Sequence, residues 1–217
     1  MCTGALLTKR HVLTAAHCTE YKPKNEVQII IGSIHLLQGT IYYPSWWITF
    51  NQWSEHRRKH LQFRVNDIAV TKLTSDVPDT IIPATISALS NDDLYGHEVV
   101  VIGWGISNNH VASMTLQTVN LRVLSINDCK SKLRRLTGER IGFQGRNLCT
   151  AADPYALIQH GDSGGPLLYA NTIVGVNKAT IPFPDQPFHP EKLNVHTGID
   201  FYRQFILYVI NDYFIWF

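Results

Sequence analysis

The chain has 217 residues, 45% of them hydrophobic and 11% aromatic, enough apolar material for a sizeable buried core, which excludes a disordered polymer. Only 17% are charged and the formal net charge is +2, so nothing in the balance asks for a nucleic-acid partner. No run reaches the roughly 18 apolar residues of a helical membrane span, since Phe205 to Ile210 is closed by Asn211 and Asp212, and no membrane partner is expected.

In chain order, runs rich in Val, Ile, Leu and Tyr predict strands at Ala5 to Leu13, Val27 to Ile31, Thr40 to Tyr43, Asp67 to Leu73, Glu98 to Gly103, Leu116 to Leu124 and Gly165 to Val176. The basic cluster His56-Arg57-Arg58-Lys59-His60, between Trp53 and Phe63, reads as a solvated loop. From Ser75 to Gly96 the pattern is irregular, with Pro78, Pro83 and Asn91-Asp92-Asp93, and reads as a connection between lobes. Val119, Leu121 and Val123 alternate with Thr118, Asn120 and Arg122, one face apolar and one polar.

Ser125-Ile126-Asn127-Asp128 has capping-box spacing and opens a short helix through Lys132. Leu167-Leu168-Tyr169 and Thr172-Ile173-Val174 flank Ala170-Asn171 as a hairpin would. Asp200 caps a terminal helix in which Phe201, Phe205 and Val209 recur every fourth residue and face a barrel. The expected fold is all-β, two antiparallel barrels: a lobe over residues 1–77, a connection over 78–95, a second lobe over 96–198, and a helix with an aromatic tail, expected to pack, over 199–217.

Four cysteines, Cys2, Cys18, Cys129 and Cys149, allow three pairings or four reduced, buried thiols; the even count points to an oxidising compartment. No C-x-x-C spacing occurs and nothing near His17 supplies a further ligand, so no metal site is expected. No N-x-S/T occurs, so N-glycosylation is not expected.

The chemistry gathers in three motifs. Gly161-Asp162-Ser163-Gly164-Gly165-Pro166 sets a serine among small residues whose amides are free to face an oxyanion. A serine needs a base, and Leu13-Thr14-Ala15-Ala16-His17-Cys18 supplies an imidazole beside a cysteine that can bridge to Cys2. The base needs an orienting carboxylate, and Asn66-Asp67-Ile68-Ala69-Val70 supplies one at the start of an apolar strand.

In the order His, Asp, Ser, these motifs resemble the chymotrypsin-fold serine proteases, whose triad is the standard worked case of this chemistry. The likeness extends to Cys2-Thr3-Gly4-Ala5-Leu6-Leu7, to Gly103-Trp104-Gly105 and to the helix after Asp200. The α/β-hydrolase order, with both partners after the serine, does not fit. The resemblance implies two six-stranded-type barrels, the first without its first strand, and disulfides over Cys2, Cys18, Cys129 and Cys149. His17 is implied as general base and acid, Asp67 as its orienter, Ser163 as nucleophile, and the N–H groups of Gly161 and Ser163 as the oxyanion hole. It implies a secreted, monomeric endopeptidase acting on protein or peptide substrates, open to protease inhibitors, with no cofactor and no metal.

Several positions depart from the family pattern. The chain starts at Met1, directly before Cys2, so a longer form with a leader, an activation site and the missing strand is expected. Asp162, the usual partner of an activation N-terminus, is expected to turn to solvent or find another donor, leaving a zymogen-like hole. The specificity pocket falls on Leu157, Ile158, His160, Lys178, Ala179, Thr180 and Asn194, with Leu157 at its floor where a trypsin-like enzyme holds an aspartate. Cleavage after Lys or Arg is therefore not expected, and an apolar P1 residue is. Gln159 replaces a cysteine common in relatives. A non-catalytic protease homologue that binds protein ligands on the same framework is the competing expectation.

Overall fold

The run from Ala5 to Leu13 folds as two strands, β1 (Ala5–Leu6) and β2 (His11–Thr14), because Thr8 Oγ1 accepts the N–H groups of Arg10 and His11 and turns the chain between them. The structure is a computed structural model that describes residues 1–20, 23–58, 66–106, 111–138, 142–181 and 191–211. Next come β3 (Ile29–Ile31), β4 (Thr40–Tyr42), β5 (Pro44–Thr49), α1 (Phe50–His56) and β6 (Ala69–Leu73). The first lobe is a four-stranded sheet in the order β1-β2-β6-β5 with a separate β3-β4 pair. Among the described residues no strand pairs with the outer edge of the two-residue β1, where Leu6 O accepts only the Ala84 N–H of the interlobe connection.

The second lobe holds β7 (Glu98–Gly103), β8 (Gln117–Val123), α2 (Ile126–Thr137), β9 (Asn147–Ala151), β10 (Pro166–Tyr169), β11 (Thr172–Ile181) and β12 (Leu193–Gly198). Its six strands close into a barrel in the order β10-β11-β12-β9-β8-β7. Ala170 (φ 46°) and Asn171 (φ 61°) are both left-handed and make the tight β10–β11 hairpin that the sequence predicts. The connection between lobes is stitched to both of them: Ala84 N–H donates to Leu6 O and Ser87 N–H to Ile173 O.

Three expectations need correction. The helix opened by Ser125, whose Oγ accepts the Asp128 N–H, continues to Thr137 and stops at left-handed Gly138, because Leu133 gives it a buried residue beyond Lys132. Asp200 does not cap α3 (Ile199–Ile210); Gly198 holds that place, and Asp200 lies in the first turn, 3.4 Å from Arg203. Phe201 is largely exposed, and the buried stripe is Tyr202, Phe205, Ile206 and Val209, since a 3.6-residue period drifts away from a four-residue one. In the basic cluster, His56 ends α1 and Arg57 and Arg58 follow it exposed; Lys59, His60 and Phe63 lie outside the described residues, as does the aromatic tail.

α1 and β5 were not predicted. Thr49 and Gln52 form a reciprocal capping box, Gln52 N–H to Thr49 Oγ1 at 3.3 Å and Thr49 N–H to Gln52 Oε1 at 2.9 Å. α1 then offers Phe50 and Trp53 to α3, with Phe50 4.9 Å from Tyr202 and Trp53 5.4 Å from Phe205, ring centre to ring centre. One core thus joins Leu13, Ile48, Ile68 and Val70 of the first lobe, Ile173 and Val176 of β11, and the buried face of α3. Truncating Phe205 to alanine there costs about 3–5 kcal/mol. The His17, Asp67 and Ser163 motifs sit along this seam.

Candidate active site

His17 lies in a 3-10 turn, Ala16–Cys18, that follows β2 directly. Asp67 precedes β6, the strand hydrogen-bonded to β2, so strand pairing brings the two together across a long stretch of sequence. Asp67 Oδ2 accepts from His17 Nδ1 at 2.8 Å and Oδ1 from the His17 backbone N–H at 3.0 Å. Both carboxylate oxygens therefore hold one residue, fixing the ring and its tautomer with Nδ1 as donor.

The environment of the pair is uneven. Asp67 is buried, whereas 45% of the His17 side chain is exposed. Burial pushes the Asp67 carboxyl up, but the hydrogen bonds and charge of His17 outweigh it and hold the group below its usual range. The bond to Asp67 holds the His17 imidazole above its usual range, against partial burial and the charge of Lys178.

Sequence reasoning missed the residues that seat Asp67. Thr197 Oγ1 donates to the Asp67 carbonyl at 3.0 Å. The neighbouring Asn66 Oδ1 accepts from Tyr202 Oη at 2.9 Å and Arg146 Nη1 at 2.5 Å, and Asn66 Nδ2 donates to Asn51 Oδ1 at 2.6 Å. Asn51 is on α1, Arg146 precedes β9 and Tyr202 is on α3, so both lobes grip this corner. Only the Asn66-Asp67 pair was visible as a motif; its partners are far away in the chain.

Ser163 is presented by a tight loop. Asp162 N–H donates to Gln159 O, and Gly165 N–H to Asp162 O, both at 3.0 Å. Thr3 clamps the loop to the first lobe, its N–H on Ser163 O at 2.8 Å and its Oγ1 on Gly161 O at 2.7 Å. Gly164 (φ +82°) lies so close to Thr14 Oγ1 and Thr3 O that no side chain fits. Cys2 and Cys18 form one disulfide and Cys129 and Cys149 the other. The first ties Thr3, which grips the serine loop, to the turn that bears His17; Cys18 Sγ lies 3.7 Å from Ser163 O. Cys2, Cys18 and His17 offer ligand atoms within 4.8 Å of one another, but both sulfurs are committed to the disulfide and cannot act as thiolates.

Asp162 finds other donors: Oδ1 accepts from Gly105 N–H at 2.8 Å and Oδ2 from Gln159 N–H at 2.9 Å. Burial nevertheless holds its carboxyl above the usual range, because these neutral donors only partly oppose the loss of water. A side chain at Gly103 or Gly105 would collide with this carboxylate, which gives the Gly-Trp-Gly motif its physical basis. Gly103 ends β7, so the motif closes the first strand of the second barrel. Among the described residues the N–H groups of Gly161 and Ser163 carry no hydrogen bond, and none joins the Ser163 hydroxyl to His17.

Of the expected pocket residues, Ile158 and Asn194 are buried, Leu157, Lys178, Ala179 and Thr180 are half-buried, and His160 is exposed. Asn194 Oδ1 accepts from Ile158 N–H at 2.8 Å and Asn194 Nδ2 donates to Ala156 O at 2.8 Å. Thr180 Oγ1 donates to Ile158 O at 2.8 Å. Side chains from β11 and β12 thus reach across to the backbone on both sides of Leu157. Lys178, opposite the dyad, has its ammonium pulled below the usual range by burial, with the Asp67 charge opposing.

A closed six-stranded barrel facing a smaller antiparallel sheet, with an imidazole–carboxylate pair and a glycine-flanked serine at the seam, defines a protein of the trypsin-like fold. The trypsin family model matches residues 1–206, and the chain belongs to that family. Trypsin beta of Drosophila erecta is 30% identical over 177 residues, 81% of this chain and 66% of that protein, just under two thirds of its length. Chymotrypsin-2 of Vespa crabro is 30% identical over 175 residues, 80% of this chain and 75% of the relative. Among solved structures, a scabies mite inactivated protease paralogue superposes with a TM-score of 0.80 at 22% identity, covering 97% of this chain and 87% of its own. Mouse neuropsin, a serine protease, gives a TM-score of 0.75 at 24% identity over 96% and 88%. Both likenesses establish the fold. Among the described residues no helix is long and apolar enough to cross a membrane.

Proposed function

We propose that the protein is a serine endopeptidase, hydrolysing peptide bonds through an acyl-enzyme on Ser163. The observation that carries this reading is the double grip of Asp67 on His17 at 2.8 and 3.0 Å, which leaves Nε2 as the free basic nitrogen facing the cleft. In the proposed mechanism His17 Nε2 takes the Ser163 proton as Oγ attacks the carbonyl carbon, and returns it to the leaving amine. Asp67 stabilises the imidazolium formed in between. The N–H groups of Gly161 and Ser163 receive the oxyanion, and a water then repeats the sequence to free the acid product. Nucleophile–base contacts are often loose in unliganded sites and tighten on substrate. Every role falls to a side chain or a backbone amide.

The preferred P1 residue is apolar and small. Leu157 and Ile158 offer no carboxylate for a buried cation, and the Asn194 and Thr180 side chains, bonded to the backbone on both sides of Leu157, argue for a small group there. Two disulfides support a secreted protein acting on extracellular protein or peptide substrates. The same crossing of the crevice favours one second reading, a non-catalytic homologue that binds protein ligands.

Labelling by a fluorophosphonate separates them. The peptidase reading expects rapid covalent modification at Ser163, mapped by peptide mass, and its loss in Ser163→Ala together with about 10⁶-fold of kcat. A folded wild-type protein that resists the reagent establishes the binding-homologue reading.

A further inference from the structure

Two fully buried polar side chains lie behind the serine loop and have no part in the mechanism above: Asn177 on β11 and His196, directly opposite it on β12. His196 Nδ1 is 2.9 Å from Asn177 Oδ1, and His196 Nε2 is 2.8 Å from Oγ1 of Thr150, fully buried on β9. Asn177 Nδ2 donates to the Asp162 carbonyl at 3.2 Å. The Asn177 backbone also pairs with the loop, its carbonyl accepting Gly164 N–H and its N–H donating to Gly165 O, both at 2.8 Å.

The direction of each hydrogen bond follows from chemistry. The Asp162 carbonyl can only accept, so the amide nitrogen of Asn177 faces it and the amide oxygen faces His196. That oxygen can only accept, so Nδ1 carries the imidazole proton and Nε2 takes the Thr150 hydroxyl proton. Burial drops the His196 pKa to about 3, keeping the ring neutral as this pattern requires. Three donors thus point the same way, Thr150 to His196 to Asn177 to Asp162, and bonds so aligned polarise one another.

The last acceptor matters because of peptide geometry. The Asp162 C=O and the Ser163 N–H belong to one planar trans unit, so they point in opposite directions. Anchoring the carbonyl on Asn177, with Gly165 N–H as its second donor, aims the Ser163 N–H away from β11. The other amide is set likewise, since His160 O, in the same peptide unit as Gly161 N–H, accepts from Ile106 N–H at 2.9 Å.

We propose that Asn177 is a positioning residue, held in its rotamer by His196 and Thr150, that orients the Asp162–Ser163 peptide so that its N–H can receive the oxyanion. This rests on the peptidase reading, and the test separates the two. Fluorophosphonate labelling, peptide-ester kinetics and hydrogen–deuterium exchange of the segment 161–165 are measured on the full chain carrying Asn177→Leu, His196→Leu or His196→Asn, each checked for cooperative thermal unfolding.

Asn177→Leu keeps the volume and removes the amide, so labelling slows by about 30-fold or more, up to the 10²- to 10³-fold cost of a lost oxyanion donor. kcat falls with KM within about twofold, since a transition-state contact is what is lost. Exchange of the segment rises. His196→Leu, which frees the Asn177 amide to rotate, gives a smaller loss in the same direction. His196→Asn recovers most of it, because its amide can donate from the place of Nδ1. Asn177→Leu labelling within about twofold of wild type overturns the proposal, as does a His196→Asn variant as slow as His196→Leu, which marks the effect as packing. Where Asn177→Leu fails to fold, the two His196 variants decide. If the wild type itself resists labelling, the peptidase reading falls, and unchanged exchange in the variants then overturns the tether as well.

Discussion

The corner that holds His17 and Asp67 and the crevice around Leu157 are built to opposite plans. In the corner, polar side chains from both lobes converge on the Asp67 carbonyl and the Asn66 amide beside it, and a disulfide anchors the turn that bears His17. In the crevice, Asn194 and Thr180 spend their polar atoms on the crevice's own walls. The His17–Asp67 pair is held by contacts between lobes and the surroundings of Leu157 by contacts within one barrel, so each can be altered while the other stays.

The largest effect belongs to the corner. Asp67→Asn leaves the fold in place but replaces one of the two oxygens that hold His17 by an N–H donor, so the backbone N–H and Nδ1 can no longer both be accepted and the tautomer is lost; such a change in a serine-protease triad costs about 10⁴-fold in kcat. Turnover of a peptide ester measures it. A loss under tenfold would show that the corner's convergent contacts serve stability alone.

The disulfides sharpen the contrast. They close stretches of 16 and 20 residues, and loops of that size give about 3 kcal/mol each. Cys2→Ser with Cys18→Ser, and Cys129→Ser with Cys149→Ser, should each lower Tm by roughly 6–12 °C in calorimetry. The first pair should also slow Ser163 labelling more than the second, because Thr3 and His17 adjoin Cys2 and Cys18. Equal slowing would mean that the disulfide beside His17 does not serve the corner.

The same contrast governs what could be read in the sequence. His17, Asp67 and Ser163 stand in short motifs whose neighbours explain them, since Cys18 is bonded, Gly164 has no room for a side chain and Gly105 touches Asp162. The partners of Asn66 come from three separate elements and leave no local trace. β12 escaped for a related reason: all six of its residues are buried, polar Asn194, His196 and Thr197 included, so it lacks the alternation that marks a half-buried strand. α1 carries a local signal, Thr49 with Gln52 three residues on. The first lobe's open sheet follows from a β1 of two residues that no further described strand joins on its outer side.

A smaller effect belongs to the crevice. Asn194→Gly removes the side chain that spans Ala156 O and Ile158 N–H and lets a larger P1 group enter. The ratio of kcat/KM for phenylalanine over alanine at P1 should rise about tenfold, the scale of discrimination that pocket volume supplies. An unmoved ratio would place the selectivity outside this crossing.

The smallest effect lies where the two regions meet. His17 must be neutral to act as a base, and its bond to Asp67 raises its pKa, so labelling should rise with pH to a midpoint above the usual imidazole value of about 6.5. Lys178, on the crevice wall, works against the imidazolium, so Lys178→Gln should move that midpoint further up. Stability carries the opposite sign: a raised histidine pKa contributes fully below the unfolded value and is lost as pH rises through the folded one. The step that makes His17 competent therefore gives up this increment of stability, while Asp67, whose pKa is lowered, loses its own contribution only on acidification through its folded value. A midpoint that ignores Lys178 would mean that the crevice does not act on the corner through charge.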